Sequence, residues 1–136
     1  MITAVDSSVL IDLFHADPSF LAASMRALSH CQSEGKLVVC ETVWAEVAAS
    51  VSDAKAMAVG MSGLGVALIP GDEHSASEAG RMMHLYKRHG GKRERVIPDF
   101  LIGAHALVHA DRLLTRDDGF FRTYFRDLKV MKPTHA

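Results

Sequence analysis

Short, apolar, β-capable runs recur along this chain, and a stretch with helical spacing separates each from the next. The runs are Ile2 to Val5, Lys36 to Cys40, Val66 to Ile69, Arg112 to Thr115 and Leu128 to Met131. Asp6-Ser7-Ser8 ends the first run and can cap a helix carrying Val9, Leu10, Leu13 and Phe14. A second helix is expected from Asp17-Pro18 to the Gly35 stop, and a third from a capping hydroxyl at Thr42 through Ala48. Gly60 to Gly65 reads as a glycine-punctuated connection. A long amphipathic helix follows over Glu73 to His89, and Pro98 opens another containing Phe100, Leu101, Ile102, Ala104 and Leu107. Strands alternating with helices predict an α/β fold: a central parallel sheet with helices on both faces and ligands beyond the carboxyl ends of the strands.

With 136 residues, 49% of them hydrophobic, the chain can bury a real core as a single domain spanning residues 1–136. Its net charge of -1 excludes bulk attraction for a polyanion, so any nucleic-acid contact must come from a local basic patch. Cys31 and Cys40 form neither a CxxC nor a zinc-spaced cluster, which fits a reducing cytoplasm. No run has the length of a membrane span and the first residues lack a signal-peptide pattern, so no membrane association is expected.

Two acids fall where such a fold builds sites. Asp6 directly follows the first strand, and Asp117 follows the fourth by two residues. Asp99 occupies the first turn of the Pro98 helix, where the dipole favours an ionised carboxylate. Glu46 lies one turn into the third helix beside Val43, Trp44 and Val47, where a glutamate gains little without a cation or a partner. Four converging carboxylates repel one another and persist only if something positive binds among them. Oxygen-only donors suit magnesium or manganese better than zinc, and the chemistry expected is hydrolysis of a phosphodiester by water activated at the cation. Ser7, Ser8 and Thr115 stand where hydroxyls can orient the carboxylates. Each acid taken alone also has a plain structural explanation, as a cap, a dipole partner, a turn residue or a solvated side chain.

The chain resembles the PIN-domain family, specifically the VapC-type toxin ribonucleases of bacterial toxin–antitoxin pairs. The resemblance rests on Val5-Asp6-Ser7-Ser8-Val9-Leu10-Ile11-Asp12, Val43-Trp44-Ala45-Glu46-Val47, Pro98-Asp99-Phe100-Leu101-Ile102-Gly103-Ala104-His105-Ala106 and Leu113-Leu114-Thr115-Arg116-Asp117-Asp118-Gly119-Phe120-Phe121. It implies a metal-dependent endoribonuclease using Mg2+ or Mn2+, with Asp6, Glu46, Asp99 and Asp117 as catalytic metal ligands. The Thr-x-Asp pattern at Thr115 selects Asp117 over Asp118. The resemblance further implies a homodimer, neutralisation by a cognate antitoxin, an RNA substrate, and DNA contact only through the antitoxin.

The stretch Lys87-Arg88-His89-Gly90-Gly91-Lys92-Arg93-Glu94-Arg95 concentrates basic charge before Asp99, making Arg93, Arg95 and Arg116 candidate RNA contacts; a solvated helix end explains the stretch equally well. His105 and His109 have the spacing of zinc-protease ligands but lack the accompanying glutamate, which favours ordinary histidines. Trp44, Phe14, Leu10 and Met82/Met83 are expected in the core or a dimer seam. One competing function is a signalling receiver domain with an acidic magnesium pocket. Lys132-Pro133 favours it, whereas the single acid after strand one and Pro70-Gly71-Asp72 after strand three count against it. The other is a non-catalytic PIN-like interaction module, whose expected mark, a missing acid, is not present.

Overall fold

A computed structural model of the chain describes residues 1–91 and 97–134. Among these, strands β1 (Ile2–Val5), β2 (Lys36–Val39), β3 (Val66–Leu68), β4 (Arg112–Leu114) and β5 (Val130–Met131) alternate with helices α1 (Ser7–Phe14), α2 (Leu21–Glu34), α3 (Glu41–Ser50), α4 (Ala54–Gly63), α5 (Glu73–Arg88), α6 (Ile97–His109) and α7 (Asp118–Tyr124). All strands are parallel, in the order β3-β2-β1-β4-β5. The fold class expected from the alternation is therefore the one observed.

The strand order makes β1 the centre. Ala4 pairs with Val38 on one side and Leu113 on the other, and Thr3, Ala4 and Val5 are all buried. From β1 the chain steps outward to β2 and β3, then returns across the sheet to β4 and β5. Right-handed crossovers in opposite directions place α1 to α4 on one face and α5 to α7 on the other. The second face is aromatic: Phe100 packs edge-on against Tyr86 and Phe120, with Phe121, Tyr124 and Phe125 completing the cluster. Close packing there needs Gly103, where a Cβ would come within 2.5 Å of the Phe125 ring.

Several boundaries differ from the sequence reading. Asp17 caps a turn, accepting from the backbone N–H groups of Ser19 and Phe20, and α2 begins only at Leu21. The helix after β2 starts at Glu41 from Cys40, without a side-chain cap, so Thr42 is not its capping residue. The glycine-punctuated connection expected at Gly60 to Gly65 is instead entered by a helix, α4, which starts at Ala54 and is capped by Asp53. Gly60 sits within α4 because the Phe14 ring of α1 approaches to 2.7 Å of where its Cβ would be. Among the described residues, no helix is long and apolar enough to cross a membrane.

Candidate active site at the carboxyl ends of β1 and β4

The order of strands reverses between β1 and β4, and the loops leaving their carboxyl ends flank a crevice at that switch point. Asp6 leaves β1 and Thr115-Arg116-Asp117 leave β4. The two exits are joined by the Asp6 N–H, which donates to the Leu114 carbonyl at 2.9 Å.

Asp6 is buried, 6% exposed, and caps α1. Its Oδ1 accepts from the Ser7 N–H at 2.9 Å, and its Oδ2 accepts from the hydroxyls of Ser8 at 3.0 Å and Thr115 at 2.6 Å. Burial still wins: it raises the Asp6 pKa above the ordinary carboxylate value against these three hydrogen bonds, with help from the charge of Asp99. Glu46, on α3, accepts from the Ser7 hydroxyl at 3.0 Å. Its pKa is raised too, first by burial and then by the charges of Asp6 and Asp99, against the Ser7 hydrogen bond.

Asp6, Glu46 and Asp99 thus feel one another's charge. Asp117 is tied to the group through its backbone N–H, which donates to the Thr115 hydroxyl at 3.0 Å as Thr115 donates to Asp6. Removing that hydroxyl strips a donor from Asp6 and an acceptor from Asp117 together. Thr115→Val is expected to lower unfolding free energy by about 1–3 kcal/mol, read from urea denaturation midpoints.

Oxygen donors with raised pKa values have the chemistry of a hard-cation site. Among the described residues, however, no three His, Cys, Asp or Glu side chains are drawn together closely enough to enclose a metal ion. Carboxylates spaced in this way would suit a cation that keeps most of its water shell. That is the mode magnesium favours over an all-protein cage.

Arg116 does not point its charge freely toward the crevice. Its Nε donates to Asp12 Oδ2 at 2.8 Å and its Nη2 to Asp12 Oδ1 at 3.0 Å, and the guanidinium lies 3.9 Å from the Phe20 ring centre. Sequence reading placed Arg116 among the basic rim residues and gave Asp12 no role. Their separation of 104 residues leaves no local signal that they meet. Arg93 and Arg95 lie outside the described residues.

His105 is buried, and its Nε2 sits 2.7 Å from the Ile69 carbonyl, which requires the proton on that nitrogen. Burial, aided by neighbouring His109, lowers its pKa against this hydrogen bond. The Nε2 of His109 lies 3.2 Å from Asp72 Oδ2, out of line for a hydrogen bond. The pair braces α6 against the loop after β3.

The fold and these carboxylates define a doubly wound α/β protein with an acidic cluster at its switch point. Residues 3–126 match the PIN-domain family model, and the chain belongs to that family. A comparison with curated proteins found no match. Among solved structures, the chain is similar to one in the VapBC2 complex from Rickettsia felis bound to a DNA fragment from its promoter. The two are 15% identical, with 97% of this chain and 98% of that one covered and a TM-score of 0.75. It is also similar to a chain of VapBC-1 from nontypeable Haemophilus influenzae, at 20% identity, 97% and 98% coverage and a TM-score of 0.73. A toxin–antitoxin complex from Klebsiella pneumoniae gives 21% identity, 98% and 99% coverage and a TM-score of 0.69.

Proposed function

We propose that this protein is a metal-dependent endoribonuclease, the VapC-type toxin of a type II toxin–antitoxin pair, acting as one PIN domain over residues 1–136. The observation that carries the reading is the joining of the Asp6 and Glu46 carboxylates through Ser7 at the switch point, where burial and the charge of Asp99 raise both pKa values. Family membership and the toxin–antitoxin complexes among its structural neighbours support it.

Asp6, Glu46, Asp99 and Asp117 are the residues that would hold Mg2+ or Mn2+. When bound, the cation supplies a water acidic enough to attack a phosphodiester and a positive charge for the phosphate oxygens. The chain itself holds the acceptors in place. Ser8 and Thr115 aim the Asp6 carboxylate, Ser7 aims Glu46, and the first turn of α6 presents Asp99. Thr115 also fixes the backbone from which Asp117 projects.

The toxin–antitoxin complexes among its structural neighbours, together with the resemblance described first, extend the proposal to partners. A cognate antitoxin covers the site, DNA is reached through that antitoxin, the toxin works as a homodimer, and the cell compartment is the cytoplasm.

The test is cleavage of a mixed cellular RNA pool by wild type and Asp99→Asn, with magnesium, with manganese and with excess EDTA. Discrete fragments that vanish both with EDTA and with the substitution are expected. Undiminished cleavage in EDTA would remove the metal from the reading, and full activity in Asp99→Asn would remove that acid from the site.

A further inference from the structure

We propose that Asp12 and Arg116 are a positioning pair that sets the 115–117 turn against Asp6, so that Arg116 serves the site through its backbone and its grip on α1 without touching RNA. The inference rests on the acidic cluster being the working site, as proposed above.

Each residue of this turn reaches Asp6 within two hydrogen bonds. The Thr115 hydroxyl donates to Asp6 directly at 2.6 Å, and the Asp117 N–H donates to that hydroxyl at 3.0 Å. The Arg116 N–H donates at 3.2 Å to the Ser8 hydroxyl, which in turn donates to Asp6 at 3.0 Å. The Thr115 N–H further ties the turn to β5, donating to the Met131 carbonyl at 3.0 Å, and the Arg116 side chain would add nothing to this if it lay in solvent. Instead its guanidinium edge is engaged by both oxygens of Asp12 and its face covers Phe20.

Asp12 is 1% exposed, and its Oδ2 accepts a further hydrogen bond from the Ser24 hydroxyl of α2 at 2.8 Å. A planar fork held along one edge and over one face admits one orientation, which a lysine ammonium would not enforce. Because Asp12 lies on α1 and Asp6 caps the same helix, pinning Arg116 to Asp12 pins the turn to the element that carries Asp6. The Asp12 carboxylate also neutralises the guanidinium, leaving little net charge to attract phosphate.

The two roles for Arg116 give opposite results at Asp12. If Arg116 bound RNA, Asp12→Asn would release a cation to the substrate and lower KM, whereas Arg116→Lys would raise KM with kcat little changed. A positioning pair instead makes both variants lose kcat by about 10–100-fold with KM within about twofold of wild type.

Amide hydrogen exchange, measured without metal or RNA, supplies the second readout. Protection at the Arg116 and Asp117 N–H groups should fall about tenfold or more in both variants, while Leu113 in β4 keeps its protection. If Asp12→Asn fails to fold, Arg116→Lys, which keeps a cation beside the buried carboxylate, carries the measurement. If wild type cleaves no RNA, the ribonuclease reading falls and exchange alone decides the pairing. Unchanged protection at residues 116 and 117 in a folded variant, or opposite KM shifts in the two variants, would overturn it.

Discussion

With magnesium or manganese present, Asp6→Asn is expected to cut RNA at least about a hundredfold more slowly than wild type while folding as well as wild type or better. Losing an outer-shell partner of a metal ligand already costs about 10–100-fold, so losing a carboxylate that meets the cation should exceed the top of that range. Asparagine suits the pocket sterically. Its oxygen can accept from the Ser7 N–H, and its two amide hydrogens can meet the Ser8 and Thr115 oxygens that now donate to Asp6.

The stability gain has a definite pH dependence. Burial raises the Asp6 pKa above its ordinary 3.8, so the unfolded chain releases this proton first as pH rises. Its contribution is therefore least adverse below 3.8 and turns destabilising as pH climbs to the raised value, and Glu46 adds an effect of the same sign. Without metal, urea midpoints of Asp6→Asn and wild type should converge near about pH 4 and separate by about pH 7, with the variant higher. Metal should reverse the order: at a concentration about 100-fold above its dissociation constant, wild type gains about 2.7 kcal/mol and the variant little. A variant that is less stable at neutral pH without metal would show that the carboxylate is held for structure.

Phe100→Ala should do the converse. Phe100 is 1% exposed and meets Tyr86 and Phe120 at ring-centre distances of 5.3 Å and Phe125 at 6.5 Å. Emptying that position costs about 3–5 kcal/mol, because the surrounding rings can collapse only partly into the space. For a chain of this size, a thermal melt should fall by roughly 10–20 °C. Since Phe100 adjoins Asp99 on the sequence but faces the aromatic layer, activity per folded molecule at low temperature should stay within about tenfold of wild type. A near-normal melting temperature would mean that α6 is not anchored by these rings.

The sheet was legible because buried parallel strands write themselves as short apolar runs, and every helix between them except α4 shows its own periodicity. Asp6, Ser7, Ser8 and Thr115 could be nominated because strand ends are local features and the rule for where such folds bind is general. Misreadings came from contacts made at long range. The helix holding Gly60 looked like a loop because its glycine answers the Phe14 ring, which no local pattern reveals. Asp17 looked like a helix cap, yet the hydrogen bonds it accepts close a turn instead. The ion pair of Arg116 was equally out of sight, because its carboxylate partner belongs to α1, 104 residues away.

The hydrogen bond from Thr115 to Asp6 spans 109 residues, and that distance sets a timetable for the molecule's birth. A growing chain displays Asp6 well before it makes β4, the strand that completes the surroundings of that carboxylate. Until β4 slides in beside β1, the carboxylate has neither its strongest donor nor its neighbour at residue 117. Late, non-local closure is slow relative to helix formation, so the surroundings of Asp6 are among the last parts of the fold to be completed. If these carboxylates cut RNA as proposed, that activity would wait for β4 to dock beside β1.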